Sequence, residues 1–151
     1  MNNNASAGWK GYDCPFFTPV CRRVLSGYCQ AQGFLEDELT PTAGIVYRRQ
    51  NVFLETSYDS ETGLNFAPTL IIGAGVGKYG EDGRPSAVPF WYLIPANLPE
   101  RGYTFWKFKT EAELESVLVR VRHALLEPFA APLLHNFDLL EKHIANFGAE
   151  S

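Results

Sequence analysis

The sequence has little that would tie a chain to a membrane, a metal ion or a nucleic acid. No apolar run approaches the roughly 18 residues that cross a bilayer, which excludes a spanning helix. The opening Met1-Asn2-Asn3-Asn4-Ala5-Ser6-Ala7-Gly8 has neither the basic end nor the apolar run of a secretory leader, so export is not expected and a cytoplasmic location is. Basic side chains are outnumbered, 13 Lys and Arg against 17 Asp and Glu, for a formal charge of −4. Binding along a nucleic-acid backbone relies on a concentrated basic excess that displaces counterions, so nucleic acid is not an expected partner. Cysteine is scarce and odd in number: Cys14, Cys21 and Cys29. Cys21 and Cys29 fall on one predicted helix with about 12 Å of rise between them, too far for a disulfide, and reduced thiols are expected. None of the three has the close Cys or His neighbour that a zinc site needs, so no metal and no cofactor is expected.

Catalytic motifs are equally sparse. Gly75, Gly77 and Gly80 satisfy G-x-G-x-x-G after a predicted strand, but Glu81-Asp82-Gly83-Arg84-Pro85 cannot open the helix that would hold a pyrophosphate. A phosphate-binding P-loop fails because Tyr79 follows Lys78 where Ser or Thr belongs, and Ile72 stands where the first glycine belongs. There is no G-x-S-x-G elbow, and Cys14 is the only thiol placed to be a nucleophile, read more simply as a small apolar residue. His123, His135 and His143 lack the spacing of four that puts two imidazoles on one metal. Asp59 and Glu61 lack the remaining ligands of a calcium loop, and Glu55 and Asp59 on one strand stand about 13 Å apart, too far for paired acid and base.

What is present is the pattern of a folded domain, with 46% hydrophobic and 20% charged residues. Residues 1–14 are expected to form a flexible N-terminal segment and 15–151 a single α+β domain. Thr18-Pro19 reads as N-cap and first helical residue. Cys21, Val24, Leu25, Tyr28 and Cys29 then form an apolar stripe, and Gly33 ends the helix. From Gly44 to about Asp59 the residues favour a hairpin turning at Arg48-Arg49-Gln50-Asn51, with a third strand from Leu64 to Ile72. Gly73 to Pro89, with five glycines and two prolines, reads as a long surface loop. Pro89 to Pro95 reads as a buried strand, and Tyr103 to Phe108 as another strand or an extended segment.

Thr110-Glu111-Ala112-Glu113 is a capping box opening a second helix, with Leu114, Val117, Leu118, Val121 and Leu125 as its stripe and Pro128 as its stop. Leu133, Phe137, Leu140, Ile144 and Phe147 give a third, closed by Gly148. The expected fold is thus an antiparallel four- to five-stranded meander with one N-terminal and two C-terminal helices packed mainly on one face.

Aromatics are abundant, with 11 Phe, 7 Tyr and 3 Trp. Strand alternation puts them on both sheet faces. With helices on one face only, Phe53, Trp91 and Trp106 are expected to include exposed rings, and beside Arg48 and Glu55 they have the composition of a binding hot spot. The competing reading has the N-terminal segment or the glycine loop covering them.

The helix ending in Gly33-Phe34, the hairpin Tyr47-Arg48-Arg49-Gln50-Asn51-Val52-Phe53-Leu54-Glu55, the following Tyr58-Asp59-Ser60-Glu61-Thr62-Gly63 and the closing helix, Pro132-Leu133-Leu134, helix resemble a set of small, uncharacterised bacterial α+β proteins from Phe16 onward. The resemblance implies no catalytic residue. Some of those proteins resemble immunity or partner proteins encoded beside toxins, which implies an acidic domain that neutralises a basic enzyme. The expected function is therefore a non-enzymatic protein-interaction domain whose partner is another protein or a second copy of itself. The alternative is a small-ligand binder or enzyme with a pocket at the Gly73 to Pro89 loop.

Overall fold

A computed structural model describes residues 14–37, 44–59, 68–77, 87–93, 97–98 and 103–150. The expected flexible segment at the N-terminus, the turn after Asp59 with the start of the third strand, and the middle of the glycine loop lie outside the described residues.

Helix α1 spans Phe17–Ala31. It starts one residue before the expected N-cap: Phe16 holds that position, and the Thr18 hydroxyl instead accepts the Gly44 N–H at 3.0 Å, tying the helix to the start of a strand. Pro19 still falls in the first turn, where its missing N–H has no intrahelical acceptor to leave empty. The expected stripe is the buried one, with Cys21, Val24, Leu25 and Cys29 facing the core. Gly33 closes the helix as read. At φ +87° it lets its own N–H reach the Gln30 carbonyl (2.9 Å) and the Phe34 N–H reach that of Cys29 (2.8 Å), a Schellman closure with Phe34 buried behind it.

Five strands follow: β1 Leu35–Glu36, β2 Ile45–Arg49, β3 Val52–Asp59, β4 Thr69–Val76 and β5 Ala87–Pro89. They form one antiparallel sheet in the order β1-β2-β3-β4-β5. The β2–β3 hairpin turns tightly through Gln50 and Asn51, with Gln50 at φ 56°, the left-handed conformation that suits strand twist in two-residue turns.

Several expected boundaries move. Glu36, between the first helix and the expected hairpin, pairs with Tyr47 in the edge strand β1. Pro68 lies just before β4, where its carbonyl accepts the Phe108 N–H (3.0 Å). Gly73 to Val76, expected as loop, continues β4, and Ala87–Pro89 is a strand as well. Gly73 and Gly75 stand at the register positions of Glu55 and Phe53, where a partner without a side chain leaves room for a large one.

Beyond β5 the chain forms one helical turn, α2 Phe90–Leu93, in place of the expected strand. Tyr103–Trp106 is a short 3-10 turn, and extended pairing is limited to a bridge from Lys107 to Thr69. Helix α3, Glu111–Arg120, opens on the expected capping box: the Thr110 hydroxyl accepts the Glu113 N–H (3.1 Å), and the Glu113 carboxylate accepts the N–H groups of Thr110 and Lys109 (3.2 and 2.6 Å).

Pro128 does not stop the helix. The chain widens into a π-helical segment, Val121–Ala130, whose last turn is marked by the Ala131 N–H bonding to Leu126 O. The wider turn relieves the clash that an α-turn forces between a proline ring and the carbonyl four residues back. The last helix is broken in two, α4 Ala131–Leu134 and α5 Phe137–Glu150, because the Asn136 side chain accepts the Leu139 N–H (3.1 Å) and starts a new helix. Gly148 lies inside α5, in open space, and does not end it.

The helices pack on one face of the sheet. Ile45, Tyr47, Val52, Leu54, Leu70, Ile72, Ala74 and Val88 share that face by register and merge with Phe17, Val24, Leu25, Leu114, Leu118, Leu126 and Leu140 into one core. Each large apolar side chain buried there contributes about 1.5–3 kcal/mol. The architecture is the α+β meander expected. No described helix is long and apolar enough to cross a membrane.

Candidate functional site

The face turned away from the helices carries Val46, Arg48, Phe53 and Glu55, since Arg48 pairs with Phe53 and Val46 with Glu55. It is not a bare aromatic surface. Phe53 and Val46 are both 0% exposed although neither belongs to the helix-side core. Among the aromatics expected to include exposed rings, Phe53 is not one: it stands opposite Gly75 in register and is fully buried. Arg48 does not present its charge outward either. Its Nε donates to the Asp37 carboxylate at 2.5 Å, and its Nη1 donates to the carbonyls of Gly77 (2.7 Å) and Gln50 (3.1 Å). The guanidinium therefore turns toward the hairpin end, while Glu55 lies two residues the other way along β3. Glu55 is half-buried, and burial raises its carboxyl above the usual range. Arg48, Phe53 and Glu55 share a face but do not converge on one point.

Trp106 is likewise not among the exposed rings. It is 5% exposed, packed edge-on against Phe105 with centroids 4.7 Å apart, and belongs to the helix-side core. Arg120 lies over the Phe105 ring at 4.5 Å and covers that pair from outside.

Trp91 is the one expected aromatic that stands in solvent, 46% exposed. Its position follows from its neighbours. Pro89 ends β5, Phe90 is 2% exposed and anchors the helical turn in the core, and the next side chain is carried outward. Helix α5 lies against β4 and β5 and brings Phe147 to the same place. The Trp91 ring stands 6.0 Å from Phe147 and 6.2 Å from Tyr92, and Tyr92 stands 5.0 Å from Phe147, with all three pairs steeply inclined. Tyr92 and Phe147 are partly buried against the core, so the exposed indole is held on two fixed rings.

Sequence reasoning missed Tyr92 and Phe147 as companions of Trp91. The signal was present in part, because Phe147 closes the apolar stripe of the last helix. The strand reading of Phe90 to Leu93 hid it, since alternation would have sent Trp91 and Tyr92 to opposite faces.

Among the described residues the remaining chemistry is dispersed. Cys14, Cys21 and Cys29 are buried, reduced thiols, and burial pushes the last two up to about 12. His123 Nδ1 lies 3.4 Å from Glu127, and His135 Nε2 shares a hydrogen bond with Gln32 at 3.1 Å. Among the described residues no group of three His, Cys, Asp or Glu could hold a metal ion. The pocket considered at the glycine loop falls on described strand residues at its ends and on residues outside the description between them. Comparison of the chain with protein-family models, with curated proteins and with solved structures finds no match.

Proposed function

We propose that this chain is a protein-interaction domain that docks a partner through the cluster of Trp91, Tyr92 and Phe147. The observation that carries the reading is the exposure of Trp91 on a rigid aromatic support. An indole already fixed by its neighbours loses little freedom on binding and brings a large apolar area with one N–H donor, which is why such residues dominate binding energy at interfaces. The dispersed titratable groups support an interaction role over a catalytic one. Within the same proposal the chain acts in the cytoplasm as a partner-binding or immunity-like protein, and its acidic balance favours a basic partner.

The test is affinity purification followed by reconstitution from purified components, with the wild-type chain, Trp91→Ala and Val119→Ala, the last changing an exposed apolar residue on helix α3. The expected result is a stoichiometric complex lost with Trp91→Ala and kept with Val119→Ala. A complex indifferent to Trp91, or a chain that forms none, overturns the reading. The molar mass of the purified chain by light scattering shows whether the partner is a second copy.

A further inference from the structure

The helix that runs from Glu111 to Leu134 changes pitch in its middle: it is α-helical to Arg120, π-helical from Val121 to Ala130 and α-helical again from Ala131. Its apolar spacing explains the change. The buried pairs Val117-Leu118, Leu125-Leu126 and Leu133-Leu134 recur every eight residues, whereas two turns of α-helix take about seven. From Val117 to Leu133 the mismatch grows to about one and a half residues, so an unbroken α-helix would carry Leu133 and Leu134 nearly half a turn away from the core. Bonding to the fifth residue back places more residues in each turn. The π segment thereby takes up the surplus and keeps all three pairs on one stripe. Two contacts belong to the wide turn. The Ala131 N–H bonds Leu126 O, which also accepts the Tyr28 hydroxyl of α1 at 3.2 Å. Arg122 Nε lies 3.5 Å from the carboxylate of Glu127, five residues on, a spacing that in an α-helix points side chains to different faces.

The width of these turns bears on what reaches Trp91. Phe90–Leu93, the helical turn that carries Trp91, packs against the π segment, and α4 continues that segment without a break. Only His135 and Asn136 separate α4 from α5, which brings Phe147 to 6.0 Å from the Trp91 ring. We infer that the π-helical segment is a phase-setting device, whose surplus residues rotate α4 and α5 into the position where Phe147 supports Trp91. Pro128 fits the wide turn but does not cause it. The functional weight of the device rests on the docking role proposed for Trp91, whereas the rotation itself does not.

The test compares the full chain with Pro128→Ala and with a variant that adds to Pro128→Ala the deletion of His123 and Glu127, two exposed residues of the π segment. The deletions bring Val117 and Leu133 to the separation of four α-turns, about 14 residues, and the alanine removes a ring that would clash with an α-turn. NMR couplings across the N–H···O=C bonds report the helix register. A nuclear Overhauser effect between Trp91 and Phe147 protons reports the ring contact. In the wild type and in Pro128→Ala the Ala131 N–H is expected to couple to the Leu126 carbonyl, five residues back. In the deletion variant it is expected to couple to the same carbonyl, now four residues back, with the Trp91 to Phe147 effect retained. Coupling to the Glu127 carbonyl in Pro128→Ala would make the proline the cause and overturn the inference, as would the same coupling in the wild type. So would a deletion variant that keeps bonds to the fifth residue back, loses the ring contact or fails to fold. If register and ring contact behave as expected while no partner complex depends on Trp91, the phase-setting device stands and the docking role falls.

Discussion

The Thr56 hydroxyl satisfies both backbone groups of Ile45 across the β2–β3 pair, accepting from its N–H at 3.0 Å and donating to its carbonyl at 2.9 Å. Thr56 is 0% exposed, and its side chain lies by the Cys21 thiol of helix α1 inside the core. Thr56→Val keeps the shape and strands the Ile45 groups without water. The expected cost is about 1–3 kcal/mol, read as a lower urea midpoint, with Thr56→Ser, which keeps the hydroxyl, avoiding much of that loss. Equal stability of the Val variant would contradict this role.

Gly44 lies beside the same contact. It has φ +108°, and a Cβ added there would come within 1.9 Å of the Thr56 carbonyl oxygen. Neither the backbone conformation nor the space admits a side chain. Gly44→Ala is therefore expected to cost at least about 3 kcal/mol or to prevent folding. Gly148→Ala, which meets nothing within 4 Å inside helix α5, is expected to be stabilising by about 0.5–1 kcal/mol. Thermal melts of the pair check both signs.

The buried thiols predict alkaline instability. Burial raises Cys21 and Cys29 from 9.0 to about 12, so over that range the folded chain keeps protons that the unfolded chain releases. Their contribution is fully present below pH 9 and is lost as pH rises toward 12, in the direction linkage requires for a raised value. Burial pushes the Tyr47 phenol up as well and steepens the decline. Urea midpoints measured upward from neutral pH should fall above pH 9, less steeply in Cys29→Ala, and thiol reagents should label the native chain only on unfolding. A stability that stays flat into the alkaline range would contradict the burial of these groups.

Glu55, raised by burial like the thiols, loses stability in the same direction of pH but from a lower starting value. Its carboxyl is raised by burial, so ionisation opposes folding once pH exceeds the unfolded value of 4.5. Glu55→Gln is expected to raise the urea midpoint at neutral pH, with the difference from wild type shrinking as pH falls toward 4.5. A less stable Gln variant at neutral pH would mean that the charge is compensated.

The parts of this fold legible in the sequence are those set by a few adjacent residues. The Gly33 closure and the Thr110 capping box each need only one turn of chain, and the stripes of α1 and α3 repeat often enough to fix a helical period. What was not legible depends on partners far along the chain. Gly73 and Gly75 read as loop because glycine is a poor strand former alone, but opposite Glu55 and Phe53 it is accommodated. Four apolar residues from Phe90 to Leu93 do not distinguish a helical turn from a strand. For Phe53 and Trp106 alternation gives a face and not what covers it, which left open which of the aromatic rings are exposed. Of the three aromatics singled out, Trp91 is the exposed one, and its contact with Phe147 depends on the packing of helix α5, which no local stretch of sequence gives.

Hydroxyl-radical footprinting of the chain alone and in its purified complex, read residue by residue by mass spectrometry, tests the central claim most directly. The account predicts that Trp91 is oxidised in the free chain while Phe53 and Trp106 are protected, and that complex formation protects Trp91. Oxidation of Trp91 that is unchanged in the complex, or a free chain in which Phe53 and Trp106 react as readily as Trp91, would contradict it.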